Sequence, residues 1–256
     1  MTTNSTAFRA PLGIGEAEWR IRIDLAAAHR LVAIFGWSNL IYNHVTARVP
    51  GEDNHFLLKP HGLLFEEVTA SSLVKLDMDG NFVDQSCDKD LNVAGFNIHT
   101  AVLSSRPDIN CVVHVHTEAG MAMSARKGGL LPLTQGAMRF YNRLAFHDYE
   151  GISSDSSERE RITKDIGMAK AMILRNHGLL TCGASIREAL VLMKYFISSC
   201  KTQLMLEASG AEIMLPDPEI CEKAARQWEI HDGKGGEAEW PALLRMADRH
   251  DKSYRQ

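Results

Sequence analysis

The 256-residue sequence predicts an α/β fold. Two long segments carry apolar residues at helical spacing, and several short apolar segments between them are bounded by Gly, Pro or Asp–Gly turns, as is typical of strands. No internal repeat or linker divides the chain, so we expect a single domain over residues 1–256. Its core is predicted at about residues 20–210, and residues 211–256 form a C-terminal extension that is expected to pack on a neighbouring subunit.

The first part of the chain is predicted to contain two helices and three strands. Apolar side chains recur at helical spacing up to Phe35, and Gly36 is a favourable residue at a helix C-terminus. Short apolar segments between turns then predict strands, and Pro107 closes the second helix. The predicted elements are helix 16–35, strands 45–49, 55–58 and 73–76, and helix 92–105.

The second part of the chain begins with an apolar strand that contains two histidines. Thr117 follows it and is a suitable N-cap for a helix. Ser185 and Glu188 have the spacing of a capping box at the start of the longest predicted helix. The predicted elements are strand 110–116, helix 117–126, a loop-rich region 130–155, strands 171–174 and 179–182, helix 185–210 and a short helix 241–248.

Composition argues against several classes of protein. The formal net charge is -4, whereas a nucleic-acid-binding protein usually has a surplus of basic residues. No apolar segment approaches the roughly 20 residues that span a membrane, and the N-terminus lacks the apolar core of a signal peptide. The cysteines are scattered and predict free thiols in a reducing cytoplasm: Cys87, Cys111, Cys182, Cys200 and Cys221. We therefore expect a cytoplasmic protein that binds neither nucleic acid nor membrane.

Three histidines are the main indication of chemistry. His114 and His116 are two positions apart in the apolar strand, and strand side chains alternate between faces, so both project from one side of the sheet. His177 lies in an Asn-His-Gly turn, where Gly178 could adopt a left-handed conformation and direct the ring off the strand end. Two interpretations are open: backbone or carboxylate partners for these rings, or an open site for one divalent transition metal ion, which neutral imidazoles suit.

Thr117 adds a second feature to the predicted site. As the N-cap of a helix that begins directly after the histidine strand, it would place backbone amides near the metal. Such amides favour an anionic group of the substrate. The alternative is that Thr117 only caps the helix, and the two roles are compatible.

The order of several motifs resembles the class II aldolase/adducin family, and especially its adducin-like branch. The motifs are Ala94-Gly95-Phe96, Arg106-Pro107-Asp108, His114-Val115-His116-Thr117, residues 129–133 (Gly-Leu-Leu-Pro-Leu), His147-Asp148-Tyr149 and residues 175–179 (Arg-Asn-His-Gly-Leu). The resemblance implies a three-layer α/β/α fold with a mostly antiparallel central sheet, and a ring-shaped homotetramer with sites between subunits.

The same resemblance implies that His114, His116 and His177 are metal ligands. Zinc is the first expectation for the cofactor, with manganese, iron or cobalt as alternatives. Asn43 and Gly62 match positions that bind substrate in the family. We therefore expect a small-molecule substrate beside the metal, in contact with Asn43, Gly62 and Thr117.

The sequence departs from the family's sugar-phosphate aldolases where those enzymes carry catalytic and phosphate-binding groups. Gly95 stands at the position of their catalytic glutamate, and Val93 and Ala94 stand at the positions of two serines. Their hydroxyl-rich phosphate loop corresponds to residues 59–62 (Lys-Pro-His-Gly). A small, non-phosphorylated hydroxy or oxo acid is therefore the better expectation for the substrate.

Another residue would have to transfer protons in place of the glutamate. His99 lies one helical turn after Gly95, and the missing side chain would open a path from His99 to the metal. Tyr254 is a candidate because some family members use a tyrosine from a neighbouring subunit's C-terminal tail. The remaining acid/base candidates are His61, His147 with Asp148, and Tyr149. A structural role is the alternative for each of them.

Three functions follow from these observations. The first is a metal-dependent lyase that performs aldol cleavage or decarboxylation through a metal-stabilised enolate. The second is a non-catalytic binding or scaffold protein like the adducin head, although the sequence ends at Gln256 without a long basic tail. The third is a metal-dependent oxygenase. The histidine set favours an enzyme over a scaffold, and the lyase is the first expectation.

Overall fold

The computed structural model describes residues 10–83, 91–153, 155–232 and 235–256. A seven-stranded sheet with the order β3-β2-β1-β4-β7-β6-β5 forms its centre. Neighbouring strands are antiparallel, except that β5 and β6 are parallel. The strands are β1 (His44–Val49), β2 (Glu52–Leu58), β3 (Val74–Asp77), β4 (Cys111–Val115), β5 (Leu144–His147), β6 (Ala171–Leu174) and β7 (Gly178–Gly183).

Helices cover both faces of this sheet. They are α1 (Glu16–Ile34), α2 (Val93–Ser105), α3 (Glu118–Ser124), α4 (Glu158–Ile166), α5 (Ile186–Ser209), α6 (Pro218–Asp232) and α7 (Trp240–His250). Alternate residues of β4 enter two separate apolar clusters: Val113 lies in the cluster that includes α1 and α5, and Val112 lies in the cluster that includes α2 and α4. The fold is therefore a three-layer α/β/α arrangement with a mostly antiparallel sheet, as expected.

Three elements were not predicted from the sequence. β5 lies inside the region expected to be loop-rich, and its four residues form a strand only by pairing with β6. The two missed helices, α4 and α6, are polar overall, and their apolar residues cover only a narrow stripe. The polar composition of α6 does not indicate a loop, because a helix on the surface needs few apolar residues.

The C-terminal extension packs on its own chain, and its contact with a neighbouring subunit stays a prediction. Helix α7 lies against α1, and the turn at Ser253–Arg255 also contacts α1. Backbone hydrogen bonds of 2.8 Å join Ala70 N to Tyr254 O and Ser71 N to Gln256 O. Among the described residues, no helix is long and apolar enough to cross a membrane.

Candidate metal centre

Strand β4 delivers the first two histidines of the site from the middle of the sheet. His114 is paired in register with His44 on β1 and with Leu180 on β7, and His116 follows the last strand residue. His114 is 1 % exposed, whereas His116 is partly accessible. The site is therefore buried on the sheet side and open on the other.

The turn between β6 and β7 delivers the third histidine, but by a different conformation from the one predicted. Asn176, with φ 54°, is the residue in the left-handed region, and Gly178 is not. Gly178 is required for another reason: a Cβ there would lie 2.7 Å from Val115 O and 2.9 Å from His116 Cδ2. The glycine therefore allows a close approach of β7 to the histidine strand.

The Nε2 atoms of the three histidines converge on one point. The distances are 2.8 Å from His116 to His114, 2.9 Å from His116 to His177, and 3.3 Å from His114 to His177. Three nitrogens in a triangle cannot all be hydrogen bonded to one another, because each carries either a proton or a lone pair. Tetrahedral ligands at zinc–nitrogen bond lengths are separated by about 3.3 Å, so the triangle has nearly the size that an ion requires.

Hydrogen bonding and burial put these rings in the form that binds metals. His114 Nδ1 lies 3.0 Å from Leu179 O and donates to it, which leaves the lone pair on Nε2 directed at the triangle. Burial lowers the pKa of His114 well below its usual range, and it lowers the pKa of His177 to about 4. The imidazoles are therefore neutral at pH 7, and the donor set fits a divalent transition metal ion.

The structure shows the surroundings of the three predicted substrate-binding residues, Asn43, Thr117 and Gly62. Asn43 is fully buried; its Nδ2 donates to Trp37 O at 2.7 Å, and its Oδ1 accepts from His116 N at 3.1 Å. Thr117 Oγ1 accepts from Gly120 N at 3.1 Å, so the predicted N-cap is confirmed. Gly62 has φ 92° and open space around its Cα. Asn43 thus positions His116, and contact of these three residues with a substrate stays a prediction.

The predicted path from His99 to the metal is filled by another side chain, which corrects that expectation. A Cβ at Gly95 would lie 2.4 Å from His44 Cε1 and 2.6 Å from both His44 ring nitrogens. His99 is fully buried behind this ring, at 5.7 Å between ring centroids, and its Nδ1 is hydrogen bonded to Thr46 Oγ1 at 2.8 Å. His44, rather than His99, is the imidazole next to Gly95.

Tyr254, the second predicted catalytic residue, is packed into its own chain. The side chain is fully buried in the core of its own subunit, and its hydroxyl donates to Asp248 Oδ1 at 2.7 Å. Burial and the Asp248 carboxylate raise the pKa of the Tyr254 phenol. The phenol is thus held within its own chain by Asp248, and a catalytic role of Tyr254 stays a prediction.

The other acid/base candidates are not brought into the histidine triangle. His147 is buried, with Nδ1 2.7 Å from Asp165 Oδ2 and Nε2 3.3 Å from Glu158 Oε1, so its partners differ from the predicted Asp148. Tyr149 is 54 % exposed, and His61 is partly buried on the loop after β2.

His44 is the residue that sequence reasoning missed. It is 6 % exposed, and its ring is stacked with His114 at 6.5 Å between centroids and an interplanar angle of 13°. The available signal was another histidine at the start of a predicted strand, directly after Asn43. The register that places it beside His114 could not be derived from periodicity alone.

Comparison with known proteins identifies the family. An aldolase II superfamily protein from Pseudomonas syringae has a crystal structure with a TM-score of 0.90 and 44% identity, covering 95% of this chain and 98% of that one. The structure of L-fuculose 1-phosphate aldolase from Glaciozyma antarctica PI12 has a TM-score of 0.83 and 26% identity, with 97% of each chain covered.

Alpha-adducin of Rattus norvegicus is 43% identical over 91% of this chain, which spans only 34% of that protein. The model of the Class II Aldolase and Adducin N-terminal domain matches residues 23–204. The chain therefore belongs to the class II aldolase and adducin N-terminal domain family.

Proposed function

We propose that this protein is a metal-dependent lyase that acts on a small, non-phosphorylated hydroxy or oxo acid by aldol cleavage or decarboxylation. The observation that carries the proposal is the convergence of the Nε2 atoms of His114, His116 and His177, which lie within 2.8–3.3 Å of one another. When bound there, a divalent ion would supply a Lewis acid for a carbonyl or carboxylate oxygen.

The surroundings of the triangle support a substrate without a phosphate group. Val93 and Ala94 offer no hydroxyl at the start of α2, and Gly95 offers no side chain. Lys59, in the loop that matches the phosphate loop of relatives, is buried and already donates to Ile41 O at 2.7 Å and Leu63 O at 3.0 Å. Burial lowers the pKa of Lys59 to about 8. These groups leave little to neutralise a phosphate dianion.

The protein's own residues would hold and orient the substrate. The open side of the triangle, at His116 and His177, would admit it, and the buried side would exclude water.

The proposal includes zinc as the ion, a homotetramer with sites between subunits, and a reducing compartment such as the cytoplasm. Free thiols at the four described cysteines support the compartment.

A second candidate function is a non-catalytic binding module. Its support is the 43% identity to alpha-adducin over 91% of this chain. Because fold and sequence similarity are compatible with either role, the metal content and turnover must separate them.

The experiment that tests the proposal is elemental analysis of purified protein, followed by a screen of small hydroxy and oxo acids for cleavage or decarboxylation. We expect about one transition metal ion per chain in the wild type and in His55→Ala, where the substituted histidine lies on β2 outside the triangle. We expect none in His114→Ala. Equal metal content in wild type and His114→Ala would refute the metal site, and bound metal without turnover would favour the binding module.

A further inference from the structure

Two buried imidazoles, His44 and His99, lie beside His114, each at 6.5 Å between ring centroids. His29 Nε2, His99 Nε2 and both ring nitrogens of His44 are buried without a hydrogen-bond partner. A buried polar atom without a partner costs free energy, so each such atom calls for an explanation, and a bound ligand is one. Of these three residues, only His44 has both nitrogens unpartnered, because His29 Nδ1 and His99 Nδ1 contact Leu25 O and Thr46 Oγ1.

Two neighbours hold the His44 ring in place. On one side, Gly95 approaches so closely that even a methyl group would lie within 2.4–2.6 Å of three ring atoms. On the other side, the ring stacks parallel to His114. The strand register fixes the backbone as well, because His44 and His114 are direct partners across β1 and β4. The imidazole is therefore both rigid and adjacent to the triangle.

We propose that His44 is a ligand-binding residue, which hydrogen bonds to an oxygen of a small 2-hydroxy acid bound at the histidine triangle. This inference rests on the proposed function and names a residue that determines its specificity. A neutral imidazole offers one N–H donor and one lone pair. A 2-hydroxy acid suits either one, since its carboxylate can accept from the N–H and its hydroxyl can donate to the lone pair. Gly95 serves this role by leaving room for the ring.

The test measures ligand binding by the metal-loaded protein rather than turnover. Cobalt(II) gives a visible absorption spectrum that changes with its coordination, so glycolate can be titrated as the probe into the cobalt-loaded full chain. The variants are His44→Phe, which keeps a flat ring without hydrogen-bonding atoms, and His44→Gln, which restores a donor and an acceptor. His55→Phe is the matched control on β2, where His55 contacts Glu52 at 2.8 Å.

We expect wild type, His55→Phe and all His44 variants to bind one cobalt ion per chain. The Kd for glycolate should rise about tenfold in His44→Phe, as expected for the loss of one hydrogen bond, and return to within about threefold of wild type in His44→Gln. Acetate lacks the hydroxyl. The difference in Kd between wild type and His44→Phe should therefore be smaller for acetate than for glycolate.

Each other result has a defined meaning. Unchanged glycolate affinity in His44→Phe, or no glycolate binding by cobalt-loaded wild type, would overturn the role of His44 while leaving the metal site intact. Failure of the wild type to bind cobalt would overturn the proposed function together with this inference. If His44→Phe does not fold, Gly95→Ala provides the test, because its methyl group displaces the ring without removing it and should also weaken glycolate binding.

Discussion

Gly95→Ala should destabilise the protein, although alanine is normally the better helix residue. Gly95 lies in the first turn of α2, where its N–H donates to Asn92 Oδ1 at 3.1 Å. Replacing a helical glycine by alanine ordinarily stabilises a protein by about 0.5–1 kcal/mol. Here the new Cβ would lie 2.4 Å from His44 Cε1 and 2.6 Å from Nδ1 and Nε2, well inside van der Waals contact. The ring or the helix must therefore move.

The magnitude follows from these two opposing effects. Overpacking of a buried site costs about 1–3 kcal/mol, and the ring of His44 is only 6 % exposed, so it cannot swing into solvent. After the helix-propensity gain is subtracted, we expect Gly95→Ala to lower the free energy of unfolding by about 1–2 kcal/mol. In a His44→Ala background the clash is absent, and the same substitution should stabilise by about 0.5 kcal/mol.

The assay is urea unfolding followed by circular dichroism, with the four proteins of this double-mutant cycle compared at one protein concentration in the presence of a chelator. The coupling between Gly95 and His44 should be about 2 kcal/mol. An increase in stability for Gly95→Ala in the wild-type background, or a coupling near zero, would refute the packing described for His44. Such a result would also remove the steric reason for a glycine at this position.

Three further predictions concern other parts of the molecule. Glu18→Gln should lower the free energy of unfolding by about 3 kcal/mol in urea titrations, because Glu18 pairs with buried Arg22 at 2.7 Å and Lys75 at 3.0 Å. Burial lowers the pKa of His29 to about 3. Between pH 6.5 and pH 3, only the unfolded chain therefore gains a proton at this residue. The contribution of His29 to stability is complete above pH 6.5 and falls by about 1.4 kcal/mol for each unit by which the pH decreases. His29→Gln should make the overall slope shallower by this amount when urea midpoints are compared from pH 7 to pH 5. The other buried histidines with lowered pKa values, such as His99 and His177, keep their own contributions. Adding zinc at about 100 times its Kd to chelator-treated protein should stabilise the fold by about 2.7 kcal/mol, measured as a rise in Tm, and His177→Ala should abolish the rise.

Matched controls separate these effects from general damage. Glu16→Gln lies in the same first turn of α1, is exposed, and should change stability by less than about 0.5 kcal/mol. His55→Gln is the control for His29→Gln, because it makes the same replacement at a histidine that is less buried. A zinc-dependent rise in Tm that persists in His177→Ala would place the ion elsewhere.

The helices and strands that pack against the sheet could be predicted because their residues repeat a local pattern. The apolar spacing of residues 16–35 and the capping box at Ser185 correspond to α1 and α5 in the structure. Strand β5 has no such pattern, since its four residues depend on parallel pairing with β6. Helix α6 was hidden by its polar composition.

The sequence by itself determined that His114 and His116 share a face, because side-chain alternation along a strand is a local property. It also indicated His177 as the third member of the set. Only the tertiary structure decided what surrounds them. The register of β1 against β4 places His44 beside His114, and the packing of α2 presses Gly95 onto its ring. The burial of Tyr254 likewise depends on contacts with α1, a helix that is distant from Tyr254 in the sequence. Such contacts between distant segments leave no periodic trace in the sequence. The sequence therefore indicated the three histidines but not the His44 imidazole that packs against Gly95.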